Sequence, residues 1–351
     1  MFRLYFTLSV LLLLLTPLAG TTLASGTGPQ ASPTASPAVS NEIDWASINA
    51  TPILLVYPGV TSWEFLQSED HRLGARAIQR GRKSCRHCHL SKEGELDMDV
   101  ANIVTGSLKM KRSHEPLEPE PISGKPPTLK ANLKAAYDNK NLYLRVEWPS
   151  RGIGWKQQSI VNTPDRVSIQ LNGTAPFFKR YGCFISCHTD VASMPKSPSK
   201  KSVMANSYYK SLGRDDVRLY AYYAKDAWNK PKPSAELKKA RQEFGPIDLW
   251  SVELSAGKSK SLDGAIFTDR LWQKSGKTEG TGEWSNAGYS VTFTRTLGPG
   301  SSNDIAIEEG AVISIAIAIH DNTTKQRQHY VSFPLSIGLG ANADLRAKKL
   351  K

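Results

Sequence analysis

The chain has 351 residues, 40% hydrophobic and 22% charged, a balance that marks a globular protein and excludes a disordered one. Lys and Arg number 45 against 32 Asp and Glu, giving a formal charge of +13. The four cysteines are too few to staple a scaffold of this length, although an even number in an exported chain first suggests two disulfides.

The N-terminus reads as an export signal. Met1-Phe2-Arg3 precedes an apolar run dominated by Leu11 to Leu15, and small residues follow from Ala19 to Ser25. The run is short for a span of about 20 residues. Cleavage after Ala19, Gly20 or Ala24 is expected, with an uncleaved anchor as the alternative. Residues 1–24 are set aside as a signal peptide, which implies a periplasmic protein. Residues 25–41, rich in Gly, Ser, Pro, Thr and Ala, form a flexible linker. The longest later apolar run, Val312 to Ile319, suits a buried strand and is too short to cross a bilayer.

Residues 42–114 read as a short helical module. Trp63, Leu66, Leu73 and Ala77 recur at near-helical spacing within Ser62 to Arg80. The module carries Cys85-Arg86-His87-Cys88-His89, the C-x-x-C-H signature of covalent c-type haem attachment. Two thiols at this spacing add across the two vinyl groups of one haem, and the adjacent histidine reaches the iron. A structural zinc site and a redox disulfide are the rival readings. The favoured distal ligand is His71, which shares a helical face with Gly74, Ala75 and Ile78, so that a flat ring can approach closely. Met98, Met110 and His114 are alternatives, and an exposed helix position is the other reading of His71.

Lys111 to Thr128 contains Pro116, Pro119, Pro121, Pro126 and Pro127, which preclude a helix and mark a boundary. Residues 115–341 beyond it are strand-rich. Leu142, Leu144, Val146 and Trp148 alternate with Tyr143, Arg145 and Glu147, as in a half-buried strand. Leu129 to Tyr137 pairs with it through Asp138-Asn139-Lys140-Asn141. Further strands are expected at Val167 to Leu171, Leu249 to Leu254, Tyr289 to Thr294, Val312 to Ile319 and Tyr330 to Ile337. A lysine-rich stretch, Lys196 to Lys210, and a helix, Pro233 to Phe244, interrupt them. Residues 342–351 read as a basic tail. The fold class is therefore mainly β: a β-sandwich after a small helical segment.

This second region holds Cys183-Phe184-Ile185-Ser186-Cys187-His188, a C-x-x-x-C-H variant with one extra residue between the thiols. The loop must bulge to hold both sulfurs at vinyl spacing, but the Cys-His pair that positions the iron ligand is intact. Two local disulfides would leave both following histidines, His89 and His188, without a role. Two covalently bound c-type haems are therefore expected, on Cys85 and Cys88 with His89, and on Cys183 and Cys187 with His188. Candidate distal ligands for the second are His329, His320, Met194 and Met204.

Several segments carry a resemblance in a fixed order. They are Leu133-Lys134-Ala135-Ala136-Tyr137-Asp138, Asn141 to Trp148, Asp165-Arg166-Val167, Gly182-Cys183 with Cys187-His188, Asp248-Leu249-Trp250, and His329-Tyr330-Val331-Ser332. Residues from about 115 to 340 resemble the ethylbenzene dehydrogenase-related haem-binding domain, also called the cytochrome c-552/dimethyl-sulfoxide-reductase-like haem-binding domain. The resemblance implies an immunoglobulin-like β-sandwich with one haem against its strands. Some members hold b-type haem through Met and Lys as electron-transfer subunits of molybdenum enzymes. This chain departs from them in carrying Cys183 and Cys187, which implies covalent haem. The resemblance also implies a C-terminal ligand at or near His329. The segment around Cys85 resembles mono-haem cytochrome c modules fused ahead of such domains.

These readings imply an electron carrier and no substrate chemistry. Loss of Arg3 with the signal leaves +12, and about four propionates bring the holoprotein to roughly +8. An acidic redox protein or a respiratory enzyme complex is the expected partner, with a molybdenum oxidoreductase as a possible hetero-oligomer, and Lys196 to Lys210 as a docking stretch. Membrane contact is expected only if the signal stays uncleaved. An exported chain without a recognition motif is not expected to bind nucleic acid. A haem enzyme acting on a peroxide or small oxyanion, and a non-catalytic ligand-binding sandwich, are the competing functions.

Overall fold

The computed structural model describes residues 43–57, 80, 83–97, 124–156, 164–186, 200–207, 210, 213, 221–227, 230–268, 270–273, 276–321 and 329–351. The expected signal peptide and linker, and all but Arg80 of the expected helix over 62–80, lie outside the described residues. From Asp44 to Lys351 the chain clusters as one unit.

That unit is a mainly β sandwich. Its strands are β1 (Thr51–Val56), β2 (Thr128–Tyr137), β3 (Asn141–Pro149), β4 (Asp165–Asn172), the short pair β5 (Lys225–Ala227) and β6 (Lys230–Pro231), β7 (Ile247–Ser255), β8 (Lys258–Ile266), β9 (Arg270–Trp272), β10 (Thr278–Ser285), β11 (Gly288–Thr296), β12 (Val312–His320), β13 (Tyr330–Ser332), β14 (Leu335–Leu339) and β15 (Leu345–Lys349). Apart from β5 and β6 they form one 13-stranded sheet, whose main path runs β10-β11-β3-β2-β1-β13-β12-β4-β7-β8-β9. Along that path every pairing is antiparallel; β15 runs parallel to both β14 and β2.

The sheet curls on itself, so its two halves face each other across a single core. Leu142, Leu144, Val146 and Trp148 of β3 meet Trp250, Val252 and Leu254 of β7 and Ile313, Ile315, Ile317 and Ile319 of β12 in one buried cluster. Period-two alternation puts these side chains inward. Closure brings β10 hard against β7. A Cβ on Gly280 would meet the Val252 side chain, and one on Gly282 that of Leu254, both well inside van der Waals contact. Glycine is therefore required where the halves touch.

The β2–β3 hairpin forms as the sequence suggests: the Asp138 carboxylate accepts from the Lys140 and Asn141 amides at 2.7 Å each. Three expectations change. Residues 51–56, placed by pattern in the helical module, form β1, which pairs with β2 and β13. Its run Ile53-Leu54-Leu55-Val56 is buried on both faces, so it shows no alternation. The expected strand over 330–337 divides into β13 and β14 around Phe333-Pro334, because proline cannot donate to the ladder. The basic tail forms β15, anchored by Leu345 and Ala347 in the core.

Candidate cofactor-binding site

The outer face of β1, β13 and β12 is a second apolar floor. Val56 pairs with Val331, and Val331 with Ala318, so three small or branched residues line up across adjacent strands. Inward alternation of Leu55, Tyr330 and Ile319 turns these three outward. Cys85, Tyr181, Phe184, Ile185 and Phe333 pack over them, with Leu90, Leu96, Phe177 and Cys183 at the margin.

The first cysteine motif sits on this floor as a one-turn helix, α1 (Arg86–His89). The amides of Cys88 and His89 donate to the Cys85 carbonyl at 3.2 and 3.0 Å. The turn leaves Cys85 buried and Cys88 exposed, so the two thiols flank its edge. Burial pushes the Cys85 thiol up to about 12. His87 points away, and its Nδ1 accepts from the Ser84 amide at 3.0 Å. The His89 ring stacks on Phe333 with centroids 5.8 Å apart and planes 14° from parallel. Burial holds its pKa below the usual histidine value, against the opposing charge of Asp97, favouring the neutral imidazole that ligates metals. Arg86 ties the turn to Asp344 through a half-exposed ion pair at 2.9 Å.

The second motif begins beside it. A short helix, α2 (Ile153–Lys156), packs at the far end of β4, and α3 (Phe178–Tyr181) then leads into a 3-10 turn over Gly182–Ile185. Gly182 has φ +59°, and a Cβ there would lie 2.9 Å from the Ala316 side chain. Only glycine lets the motif lie this close to β12. Further on, Ser186 is clamped to Gln170 of β4: Gln170 Nε2 donates to the Ser186 carbonyl at 3.0 Å, and the Ser186 hydroxyl donates back to Gln170 Oε1. Gln170 is the register partner of Ala316, so both clamps act at one place on the sheet.

The two motifs therefore meet. The Cys85 amide donates to the Arg180 carbonyl at 3.1 Å. Phe333 lies between them, stacked on His89 on one side and on Phe184, 6.3 Å away, on the other. This contact was not visible in the sequence, which separates the motifs by nearly a hundred residues. Phe333 and Gln170 carry no motif signal; only outward strand parity could have marked them.

Farther along the same face lies a histidine pair. His320 ends β12 on the side of Ala316 and Ala318, about 13 Å beyond Ala316 by strand rise. His329 precedes β13, and its ring stacks on His320 at 4.1 Å and 17°. Next to them Lys125 pairs with Asp321 at 2.9 Å and lies 4.4 Å from the Tyr330 ring centre. Burial lowers the Lys125 pKa, with Asp321 opposing. These contacts borders a cavity of about 1020 Å³ at that end of the sandwich, lined by Trp148, Asp165 and Trp284 among others.

Cys187, His188, His71, Met98, Met110, His114 and Met194 lie outside the described residues. Met204 is 56% exposed, on α4 (Lys200–Ala205) within the lysine-rich stretch, where Lys200 and Lys201 are also exposed. The remaining long helix, α5 (Ser234–Phe244), packs Ala240 on a separate cluster. No helix among the described residues is long and apolar enough to cross a membrane.

A cysteine pair on one helical turn, a histidine next to it and an apolar wall are residues that would fit a haem group.

The comparisons with known proteins agree in kind. Residues 108–332 match the family model described as ethylbenzene dehydrogenase. The chain is 27% identical over 309 residues to cytochrome c-552 of Stutzerimonas stutzeri, covering 87% of this chain and 90% of that one. It is 27% identical over 309 residues to cytochrome c-551 of Rhodocyclus tenuis, covering 87% and 99%. Among solved structures, a family 9 carbohydrate-binding module from Caldicellulosiruptor kristjanssonii in complex with glucose is similar at 10% identity and TM-score 0.28, over 60% of this chain and 69% of that one, too distant to bear on ligand.

Proposed function

Because the chain belongs to the ethylbenzene dehydrogenase family, we propose that it is a periplasmic electron-transfer protein with two covalently attached c-type haems. Cys85 and Cys88 hold the first, with His89 as its proximal ligand. Cys183 and Cys187 hold the second, with His188. His71 and His329 are the distal ligands. The observation that carries this reading is the meeting of both cysteine motifs on one apolar face, joined by the Cys85–Arg180 bond and by Phe333. Relatives matched along nearly their whole length bear the name cytochrome c.

When bound, each haem supplies a one-electron couple at its iron. The chain's own residues set the conditions. Val56, Val331, Ala318 and Phe333 exclude water from the face, which favours the less charged oxidation state. Gln170 and Gly182 hold the second motif in register with the sheet. Burial favours the neutral form of His89, whose ring stacks on Phe333. A second protein ligand on each iron would leave no open position for a substrate, as suits a carrier.

The formal charge of +13 supports an acidic partner. Reduced holoprotein is expected to pass electrons to a small acidic redox protein at a rate that falls about tenfold from low to physiological salt. Stopped-flow absorbance reads it. A rate indifferent to salt, or one greater with a basic protein, would remove the charge argument. Turnover of peroxide by a five-coordinate haem would replace the carrier reading with the enzyme.

A further inference from the structure

At the end of the sandwich away from the histidine pair, the core closes over ionisable groups. Asp248, the second residue of β7, stands opposite Leu171, at the far end of β4 from Asp165. Asp263 stands opposite Trp250 in the β7–β8 register and faces inward with it. Asp304 comes from the loop between β11 and β12. Arg295 and Thr278, paired across β11 and β10, face them from the other half of the sheet. Asp248 and Arg295 are fully buried, and Asp263, Thr278 and Asp304 are each 5% exposed.

One oxygen from each aspartate lies within 4.8 Å of the others. Trp250 Nε1 donates to Asp248 Oδ1 at 3.0 Å, and the Thr278 amide to Asp263 Oδ2 at 3.1 Å. Gln273 donates to Asp304 Oδ1 at 3.2 Å, and the Ser301 hydroxyl to Oδ2. After these bonds, Asp248 Oδ2 and Asp263 Oδ1 still have no hydrogen-bond partner, nor has the Thr278 hydroxyl. Among the described residues, Arg295 stands 3.7 Å from Asp248 Oδ2 and donates through Nη1 and Nη2 to the Thr296 and Ile305 carbonyls. If all three carboxyls were ionised against the Arg295 guanidinium, they would leave an excess negative charge in the interior, where an uncompensated charge is costly, so the cluster calls for a neutralising species.

We propose that Asp248, Asp263 and Asp304 bind one calcium ion at this end of the sandwich. The donors are all oxygen, which suits a hard cation and not zinc, copper or iron. Their spacing can be spanned by one ion at ligand distances of about 2.4 Å. Magnesium suits the place less well, because it keeps several waters in a strict octahedron and this site is buried. The ion joins β7, β8 and the β11–β12 loop, so it fastens the sheet at the end opposite the histidines.

The test is calorimetric titration of the full-length holoprotein, stripped with EDTA, using calcium chloride, alongside thermal unfolding with and without calcium. The expected result is one ion per chain and a rise in Tm of about 5 °C at calcium a hundredfold above Kd. Asp304→Asn, which keeps a carbonyl oxygen to accept from Gln273 and an amide that can donate to the Ser301 hydroxyl, should weaken binding by at least about tenfold. No binding heat and an unchanged Tm in the native protein would overturn the proposal and leave protons as the neutralising species. Unimpaired binding by both Asp304→Asn and Asp263→Asn would also overturn it, placing the ion elsewhere.

Discussion

Phe333→Ala is expected to destabilise the protein by about 3–4 kcal/mol and to disturb both cofactor environments together. Phe333 is 5% exposed and fills the junction between the cysteine motifs, stacked on His89 and on Phe184. Truncation removes the shared wall and admits water to a face now lined by Val331 and Ala318. Denaturant unfolding reads the stability loss, and redox titration reads the potentials. Both potentials should fall, because water favours the more charged oxidised state. Phe333→Leu restores most of the volume and should cost about 1.5 kcal/mol or less. If Phe333→Ala moved neither potential, the two motifs would not share a wall around their cofactors.

The second large effect concerns His329. If it is the distal ligand of the second haem, His329→Ala should convert about half of the low-spin signal to high-spin, and added imidazole should restore it. His320→Ala is the control, since its ring stacks on His329 at 4.1 Å from the same face. That change removes a neighbour of the ligand but not the ligand, so low-spin character should persist with a shifted spectrum. An unchanged spectrum in His329→Ala would sink the assignment, and loss of low-spin signal in His320→Ala instead would transfer the role to His320.

Much of the sandwich was legible because burial on one face leaves a period-two trace. β3 and β11 alternate along their whole length, and β12 announces itself by an apolar run broken only at Ser314. β10 escaped notice for a physical reason. Its sequence, Thr-Glu-Gly-Thr-Gly-Glu-Trp-Ser, sets glycines where apolar side chains are expected, because Val252 and Leu254 already fill that space. β8 opens on Lys258-Ser259-Lys260-Ser261 and buries only its second half. β1 shows no alternation because both its faces are covered.

The site divides in the same way. Cysteine spacing is local, so the motifs holding Cys85, Cys88 and His89, and Cys183, stand out in the sequence as candidates. Their adjacency depends on β1 pairing with β13, and β13 with β12, which bring together residues more than 270 positions apart. Long-range pairing leaves no spacing to read. Gln170 and Phe333 acquire their roles only through that pairing. The acidic cluster is similar: Asp248, Asp263 and Asp304 look like ordinary polar residues until the sheet closes around them.

The central claim is that four cysteines carry two haems and not two disulfides. Intact-mass measurement of the exported protein, paired with a pyridine haemochrome assay on the same sample, tests it directly. Two covalent haems add roughly 1.2 kDa to the processed chain, and the haemochrome gives two c-type haems per chain. A mass increment of one haem would show that the Cys183–Cys187 spacing does not support attachment. No increment, with both cysteine pairs oxidised, would contradict the account altogether.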